Sequence, residues 1–305
     1  MMERLFNEAG AGFRARHDLG QNFLQDTRIL NRITDTALEL LPSEGVSAEQ
    51  AVCIEIGPGT GQLTEALLRA GFAVSSLEID ERLKPVLDER LAEYEGFRLV
   101  MGDAQNVDLN AIAREAEPAV ILGISNLPYY VTTPLIIKYL TDLPEAAGFV
   151  FMVQADVLTR LRASRNKSES IKRRGVVQIL GEAYGSIDVV QNVPASAFLP
   201  APRVGSVLLA YRPAVKPVRG REFYVEHPSE FVAFLSAAFT QRRRTLSNNL
   251  KADLENRLGI DRSTATVIVG EILEEWPESA GMRAEQLTTE EHLRLARRWH
   301  SCLTK

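Results

Sequence analysis

An amide, a proline and two tyrosines follow an apolar run near the middle of the chain. The run Ala119–Ile124 is typical of a buried strand in a parallel sheet, and Asn126-Leu127-Pro128-Tyr129 comes directly after it. Pro128 disfavours a helical backbone at Leu127, which can aim the Leu127 carbonyl outward beside the Asn126 side-chain oxygen. Two such acceptors can hold both hydrogens of an exocyclic amine, and Tyr129 offers a flat face for the base that carries it. The pattern predicts transfer of a group to a planar amine.

The amine of adenine is a poor nucleophile because its lone pair is delocalised into the ring. Hydrogen bonds accepted from both N–H groups favour a more pyramidal, more reactive nitrogen, and such preorganised polar groups act mainly through electrostatics. A simple strand-end turn explains the same residues, because Asn-x-Pro-Tyr is also common turn chemistry. The motif by itself leaves both interpretations open.

Strand ends earlier in the chain carry groups that suit a nucleoside. A strand beginning at Ala51 runs into the turn Gly57–Gly61, where glycines allow close approach of a ligand to the backbone. Glu78 follows the strand Ala73–Leu77 and can accept hydrogen bonds from a ribose diol. Asp103 follows the strand Phe97–Met101 and is placed to accept from an adenine amine, although each acid alone is also a good helix cap.

The glycine-rich turn lacks two phosphate-binding signatures. The position after its third glycine is Gln62, which departs from the dinucleotide fingerprint, and no Lys-Ser/Thr pair of a P-loop follows. A ribose site and an adenine site without a phosphate site indicate S-adenosylmethionine as the cofactor. The protein then mainly has to align the acceptor with the activated methyl group.

The length and the apolar patterning indicate two domains. The chain has 305 residues, of which 45% are hydrophobic and 25% charged. Further strands are predicted at Phe149–Gln154 and Ser206–Tyr211, and Pro213–Pro217 has the composition of a linker. Beyond the linker the pattern is helical, so we expect an α/β domain over residues 1–213 and an all-α domain over 214–305. Helices in the second domain are predicted at Phe231–Phe239, Leu246–Leu258, Ala265–Leu273 and Glu290–Trp299.

Basic residues are segregated on a chain whose net charge is −5. Val157–Arg174 contains seven Lys/Arg and one acid, hence +6, and Gln241–Lys251 contains four Lys/Arg and no acid, hence +4. Such segregation favours basic contact surfaces for nucleic acid on an acidic body, although solvated loops or helix faces are the alternative. The candidate phosphate contacts are Arg14, Arg16, Arg173, Arg174, Arg242, Arg243 and Arg244.

The chain start has no basic-then-apolar signal pattern and no segment is apolar enough for a membrane span, so a cytoplasmic location is expected. There are two cysteines and four histidines, without metal-ligand spacing. Cys53 is predicted to be buried and inert. No metal and no membrane are expected among the partners.

Several motifs together occur in the order and spacing of a known family. They are Leu19–Leu24, Glu55–Gly61, Glu78–Asp80, Gly102–Ala104 and Asn126–Tyr129. Over nearly its whole length the sequence resembles the ribosomal RNA adenine dimethyltransferases. Tyr130–Leu135 is more similar to the branch that acts on the small subunit than to the macrolide-resistance branch.

The resemblance implies a fold and a set of site residues. The fold class is α/β, a Rossmann-like class I methyltransferase sheet of seven strands, followed by a small C-terminal all-α domain. It implies that Asn126 with the Leu127 carbonyl holds the target amine, that Tyr129 stacks the base, and that Phe198 packs against it. Core packing is the alternative for Phe198. The implied cofactor contacts come from Asn22, Leu24, Gly57, Glu78, Asp103 and Asn126.

The implied reaction is S-adenosylmethionine-dependent N6,N6-dimethylation of two adjacent adenosines in a hairpin near the 3′ end of small-subunit ribosomal RNA. The partner would be an immature small ribosomal subunit, and Phe239–Leu250 resembles the family's RNA-facing helix. Ala155, Asp156, Gly205 and the loop Ser164–Arg174 depart from the family pattern and bear on RNA docking. Methylation of large-subunit RNA, or a ribosome-assembly role that outweighs catalysis, are the alternatives.

Overall fold

The computed structural model describes residues 20–43, 45–162 and 174–304. Three of the arginines predicted to contact RNA, Arg14, Arg16 and Arg173, lie outside these residues.

The strands are β1 Phe23–Leu24, β2 Ala51–Ile56, β3 Ala73–Glu78, β4 Phe97–Met101, β5 Val120–Asn126, β6 Gly148–Gln154, β7 Gly185–Val193, β8 Phe198–Leu199 and β9 Ser206–Pro213. The helices are α1 Thr27–Glu39, α2 Gln62–Arg69, α3 Lys84–Arg90, α4 Leu109–Arg114, α5 Thr132–Asp142, α6 Ala155–Leu161, α7 Val176–Tyr184, α8 Arg221–Glu226, α9 Pro228–Phe239, α10 Leu246–Leu258, α11 Arg262–Leu273 and α12 Thr289–Leu303.

Seven strands form one sheet in the order β4-β3-β2-β5-β6-β9-β7. The pairs β2–β3, β3–β4, β2–β5 and β5–β6 are parallel, and Cys53 of β2 lies opposite Val74 on one side and Leu122 on the other. From β2 the chain builds the sheet in one direction through β3 and β4, and then in the other through β5 and β6. The carboxyl ends of β2 and β5 therefore flank a topological switch point, where ligands bind in open α/β sheets.

The central strand β2 is buried along its whole length. Its sequence Ala-Val-Cys-Ile-Glu-Ile is apolar on both faces apart from Glu55, which is the pattern of a strand covered on both sides. Burying each Val or Ile side chain contributes about 1.5–3 kcal/mol, so β2 anchors the sheet. Cys53 is a free, fully buried cysteine, as predicted.

Helix α1 covers the sheet with one face. Asp26 is its N-cap, and the side chain accepts from the Arg28 N–H at 2.9 Å. Leu40, just after the helix, approaches the backbone of β6 so closely that a Cβ added at Gly148 would lie 2.6 Å from it. The apolar residues of the helix that are buried are Ile29, Leu30, Ile33 and Ala37.

The chain divides into two compact units. The first comprises Met1–Leu135, Gly148–Ala155 and Val189–Ala210, and the second comprises Ile136–Ala147, Asp156–Asp188 and Tyr211–Lys305. All helices from α8 onward belong to the second unit, whose core contains Phe231, Phe234 and Trp299. The division into a domain over 1–213 and another over 214–305 stays a prediction.

The four helices predicted after the linker are all present. Helix α10 has the predicted bounds, whereas α12 extends beyond them on both sides. At its start, Thr288 and Glu291 form a capping box. The sequence did not predict strands β1, β7 and β8 or helices α3, α4, α6, α7 and α8. Within the described segments, no helix is long and apolar enough to cross a membrane.

Candidate active site

The glycine-rich turn after β2 forms the floor of a cavity at the switch point. Gly57 and Gly59 have φ of +75° and +58°, a region that L side chains rarely adopt. A Cβ on Gly59 would also lie 2.8 Å from the ring of Phe23 in β1. Glycine is required here for the backbone conformation and for the close approach of β1, and both residues line the cavity.

The carboxylate of Glu78 lies at the end of β3 and lines the same cavity. Its Oε1 accepts from the backbone N–H groups of Ile79 and Asp80, both at 2.9 Å, and its Oε2 accepts from Gly59 N–H at 3.3 Å. Burial raises the pKa of Glu78, and these backbone donors oppose the shift. The side chain is fixed in place, and its oxygens remain available as acceptors for the hydroxyls of a ribose.

Asp103 follows β4, caps a helical turn and lines the cavity. Its Oδ1 accepts from Gln105 N–H at 2.9 Å, so it caps the short helical turn that follows. The residue nevertheless lines the cavity, together with Gly102 and Ala104. Capping holds the carboxylate in position, which is compatible with its acting as a ligand group.

The side chain of Asn126 at the end of β5 presents a buried acceptor. Its Nδ2 donates to the Asn22 carbonyl at 3.1 Å, which assigns the orientation of the amide. Its Oδ1 is buried and has no hydrogen-bond partner among the described residues. An unsatisfied buried acceptor costs about 1–3 kcal/mol. Asn126 lines the cavity together with Leu127 and Tyr129.

The Tyr129 ring is held at its hydroxyl end. The phenolic oxygen lies 3.0 Å from the Ser206 Oγ at the start of β9, and Ser206 is only 2% exposed. Burial raises the pKa of Tyr129, and the hydrogen bond with Ser206 opposes this shift. A buried hydroxyl on a strand therefore fixes the tilt of the ring that lines the cavity.

Phe198 lies beside the cavity but does not line it in this structure. Strands β1 and β8 pair antiparallel, with Leu24 opposite Phe198. Leu24 lines the cavity, as does Asn22, whereas the Phe198 side chain is 4% exposed. Core packing describes Phe198 here, and its contact with a target base stays a prediction.

Two further interactions at the cavity were not predicted. Glu55 of β2 is buried, and its Oε2 accepts from the hydroxyls of Thr64 and Ser76 at 2.7 and 2.8 Å. Burial raises its pKa from 4.5 to about 7. Gln21 donates to Asp80 at 2.8 Å and so ties the segment that carries Asn22 to the end of β3. The two hydroxyl partners of Glu55 lie on α2 and β3, and no local sequence signal indicated that they would meet it.

The arginines predicted to contact RNA differ in exposure: three are exposed and one is buried. Arg242, Arg243 and Arg244 are exposed, and they lie in the turn between α9 and α10 rather than within a helix. Arg174 is 2% exposed, and its guanidinium donates to the Leu287 carbonyl, to Glu182 and to the Thr289 hydroxyl. Burial and these partners make Arg174 part of the core of the second unit, and its contact with phosphate stays a prediction.

The residues around the cavity fit an adenosine-containing cofactor. Glu78 offers acceptors that suit a diol, Asp103 offers an acceptor that suits an amine, and the glycine-rich turn lines the cavity at Gly57 and Gly59. The fold and this cavity define a Rossmann-like class I methyltransferase domain.

The comparisons with known proteins identify the family. The family model for ribosomal RNA adenine dimethylase matches residues 12–267. A ribosomal RNA small subunit methyltransferase A of Geobacillus thermodenitrificans is 39% identical over 80% of this chain and 78% of its own length. Another, from Bacillus mycoides, is 36% identical over 93% of this chain and 91% of its own. The chain belongs to the ribosomal RNA adenine dimethylase family.

Two solved structures share the fold. A dimethyladenosine transferase from Plasmodium falciparum aligns over 92% of this chain and 98% of its own, with a TM-score of 0.63 and 22% identity. The 23S rRNA methyltransferase ErmE aligns over 92% of this chain and 100% of its own, with a TM-score of 0.54 and 20% identity. The predicted fold class is confirmed.

Proposed function

We propose that this chain is an enzyme that dimethylates N6 of two adjacent adenosines in a hairpin near the 3′ end of small-subunit ribosomal RNA, with S-adenosylmethionine as the methyl donor. The observation that carries the proposal is the buried Oδ1 of Asn126, which lacks a partner among the described residues although Asn126 lines the cavity beside Tyr129. An acceptor kept unsatisfied in such a place suits a donor that the substrate brings.

Different groups position the target amine and the base that carries it. Asn126 accepts one N–H of the target amine, and the Leu127 carbonyl is the proposed acceptor for the other. Tyr129, anchored by Ser206, supports the face of the splayed base. These groups are set before the substrate arrives, so they need little reorganisation as positive charge develops on the amine nitrogen.

Glu78 and Asp103 would hold the ribose and the adenine of the cofactor, with Asn22, Leu24 and Gly57 completing the wall. S-adenosylmethionine, when bound, supplies a methyl group activated by its sulfonium charge. The residues of this chain then contribute alignment and exclusion of water, since an in-line approach needs the reacting atoms held in a narrow range of geometries.

The macromolecular partner is proposed to be small-subunit ribosomal RNA within an immature subunit, which links the enzyme to ribosome biogenesis in the cytoplasm. The relatives named small subunit methyltransferase A support this choice over large-subunit RNA. The exposed arginines 242–244 are proposed phosphate contacts, because an exposed basic turn in a protein of net charge −5 suits a polyanion.

Incubation with labelled S-adenosylmethionine tests the proposal. Small and large subunits from cells that lack both modifications serve as parallel substrates, and the modified nucleotides are mapped. We expect two dimethylated adenosines near the 3′ end of the small-subunit RNA and no label in the large subunit. Label confined to large-subunit RNA would assign the alternative activity, and binding of subunits without any methylation would assign an assembly role alone.

A further inference from the structure

Three side chains of types that can bind a metal ion converge near the ends of two helices of the second unit. His227 precedes α9, Glu230 lies in its first turn, and His300 lies in the last turn of α12. One ligand atom from each residue lies within 4.8 Å of the other two. We propose that His227, Glu230 and His300 bind one divalent first-row transition metal ion such as Zn²⁺.

The spacing of the imidazoles suits a shared metal ion. In a tetrahedral site each ring centre lies about 3.2 Å from the metal, which places two ring centres about 5 Å apart. The ring centres of His227 and His300 are 4.6 Å apart, with an angle of 34° between the planes. The ligand atoms lie within 4.8 Å of one another, so they need to move closer by at most about 1.4 Å to reach the tetrahedral separation of about 3.4 Å. Rotation of the side chains supplies a movement of this size.

A buried ring supports both histidines from one side. The ring of Phe223 lies 5.2 Å from that of His227 and 5.8 Å from that of His300, and Phe223 is buried. The buried ring therefore keeps both imidazoles in one cluster. Arg297, one turn before His300, forms an ion pair with Glu222 at 2.7 Å, so its positive charge is partly balanced.

The donor set determines the class of metal. Two imidazoles and one carboxylate favour Zn²⁺, Co²⁺ or Ni²⁺ over Mg²⁺ and Ca²⁺, which prefer oxygen ligands. Three protein ligands leave a fourth position for water. The ion would join the start of α9 to the end of α12, so its expected effect is on the stability of the second unit.

The test is a titration of the full-length, tag-free protein, stripped with chelator, with Co²⁺ and Zn²⁺. We expect one equivalent of Co²⁺ to give visible absorption of a low-coordinate site, displaced by Zn²⁺, and Zn²⁺ to raise the melting temperature. His227→Ala and His300→Ala should weaken binding by about 100-fold or more, at least as much as the loss of a supporting residue around a metal site. Glu230→Gln, which preserves side-chain size, should weaken it with little change in the fold.

Matched controls separate this cluster from general histidine binding. His17→Ala removes a histidine near the start of the chain, and Glu226→Gln removes an exposed acid next to His227 in the chain. Both should bind Co²⁺ as the parent does. The proposal is overturned if the parent binds neither ion at free concentrations up to about 100 μM, or if binding persists in His227→Ala and His300→Ala.

Discussion

Replacing Asn126 by alanine removes two interactions with different consequences. The variant loses the buried Oδ1, the acceptor proposed for the target amine, and it loses the Nδ2 donor to the Asn22 carbonyl at 3.1 Å. The first loss acts on the chemical step. The removal of one preorganised hydrogen-bonding group lowers the rate by about 10²–10³, equivalent to about 2.7–4 kcal/mol.

The second loss acts on the ground state. The Asn22 carbonyl would lose its donor, at a cost of about 1–3 kcal/mol if no water replaces it. This cost should lower stability and cofactor affinity, because Asn22 also lines the cavity. It should not lower the rate at saturating cofactor. Subunit affinity should change little, since the proposed phosphate contacts are residues 242–244.

The assay is single-turnover methylation of small subunits at saturating S-adenosylmethionine, with monomethyladenosine and dimethyladenosine resolved. The second transfer should slow at least as much as the first, because a monomethylated amine offers one N–H and depends on whichever acceptor remains. Asn110→Ala on α4, at a residue that does not line the cavity, is the matched control and should react at the parental rate.

Dimethylation by Asn126→Ala at the parental rate would refute the mechanism and leave Asn126 a turn residue. A rate loss that disappears when the cofactor concentration is raised would assign Asn126 to cofactor binding alone.

Four further outcomes are expected. Glu78→Ala should weaken S-adenosylmethionine binding by about 10- to 150-fold in calorimetry, the value of a charged hydrogen bond, and unchanged affinity would remove Glu78 from the ribose site. Alanine at residues 242–244 should make the plot of log binding constant for subunits against log salt concentration less steep. The slope should change by about 0.7–0.9 for each phosphate that the variant no longer neutralises, and an unaltered slope would mean that these arginines are only a solvated turn. Ser206→Ala should lower the methylation rate as much as Tyr129→Phe, because each removes the same 3.0 Å hydrogen bond, and the double variant should lose no more than either one; additive losses would contradict the shared role. Burial favours the neutral form of Glu55 in the folded state. The resulting contribution of about 3 kcal/mol to the free energy of unfolding is fully present below about pH 4.5 and is lost as the pH rises to about 7. Denaturant unfolding should show that Glu55→Gln flattens this decline, and an unchanged pH profile would contradict the raised pKa.

The local pattern predicted most of the elements of the sheet. The boundaries of β4 and α10 agree with the prediction to the residue, because each is an apolar run or a helical period bounded by clear turn residues. The extended ladder β7, Gly185–Val193, was missed because it is only partly buried and carries polar residues at several positions. Its place in the sheet depends on pairing with β9, which no local sequence pattern indicates.

The burial of Arg174 shows the same limit for charge. In the sequence it is one of seven basic residues in a run, and such a run indicates a surface. The structure pairs it with Glu182 and the Leu287 carbonyl instead, the latter 113 residues away along the chain. A buried cation is stable only when it has such partners, and no local sequence pattern predicts which residues they are.

The sequence by itself determined the chemistry that the first unit offers. Glu78, Asp103 and Asn126 each follow a recognisable strand, and parallel strands end at the same edge of a sheet, so their convergence could be predicted from their order alone. Only the tertiary structure decided which atoms are satisfied: it leaves the Asn126 Oδ1 without a partner among the described residues and ties Tyr129 to Ser206, 77 residues later. It also brings together His227 and His300, which lie far apart in the chain. Hydrogen bonds and ligand sites depend on distances of a few ångströms between distant residues, and those distances are set by packing rather than by local pattern.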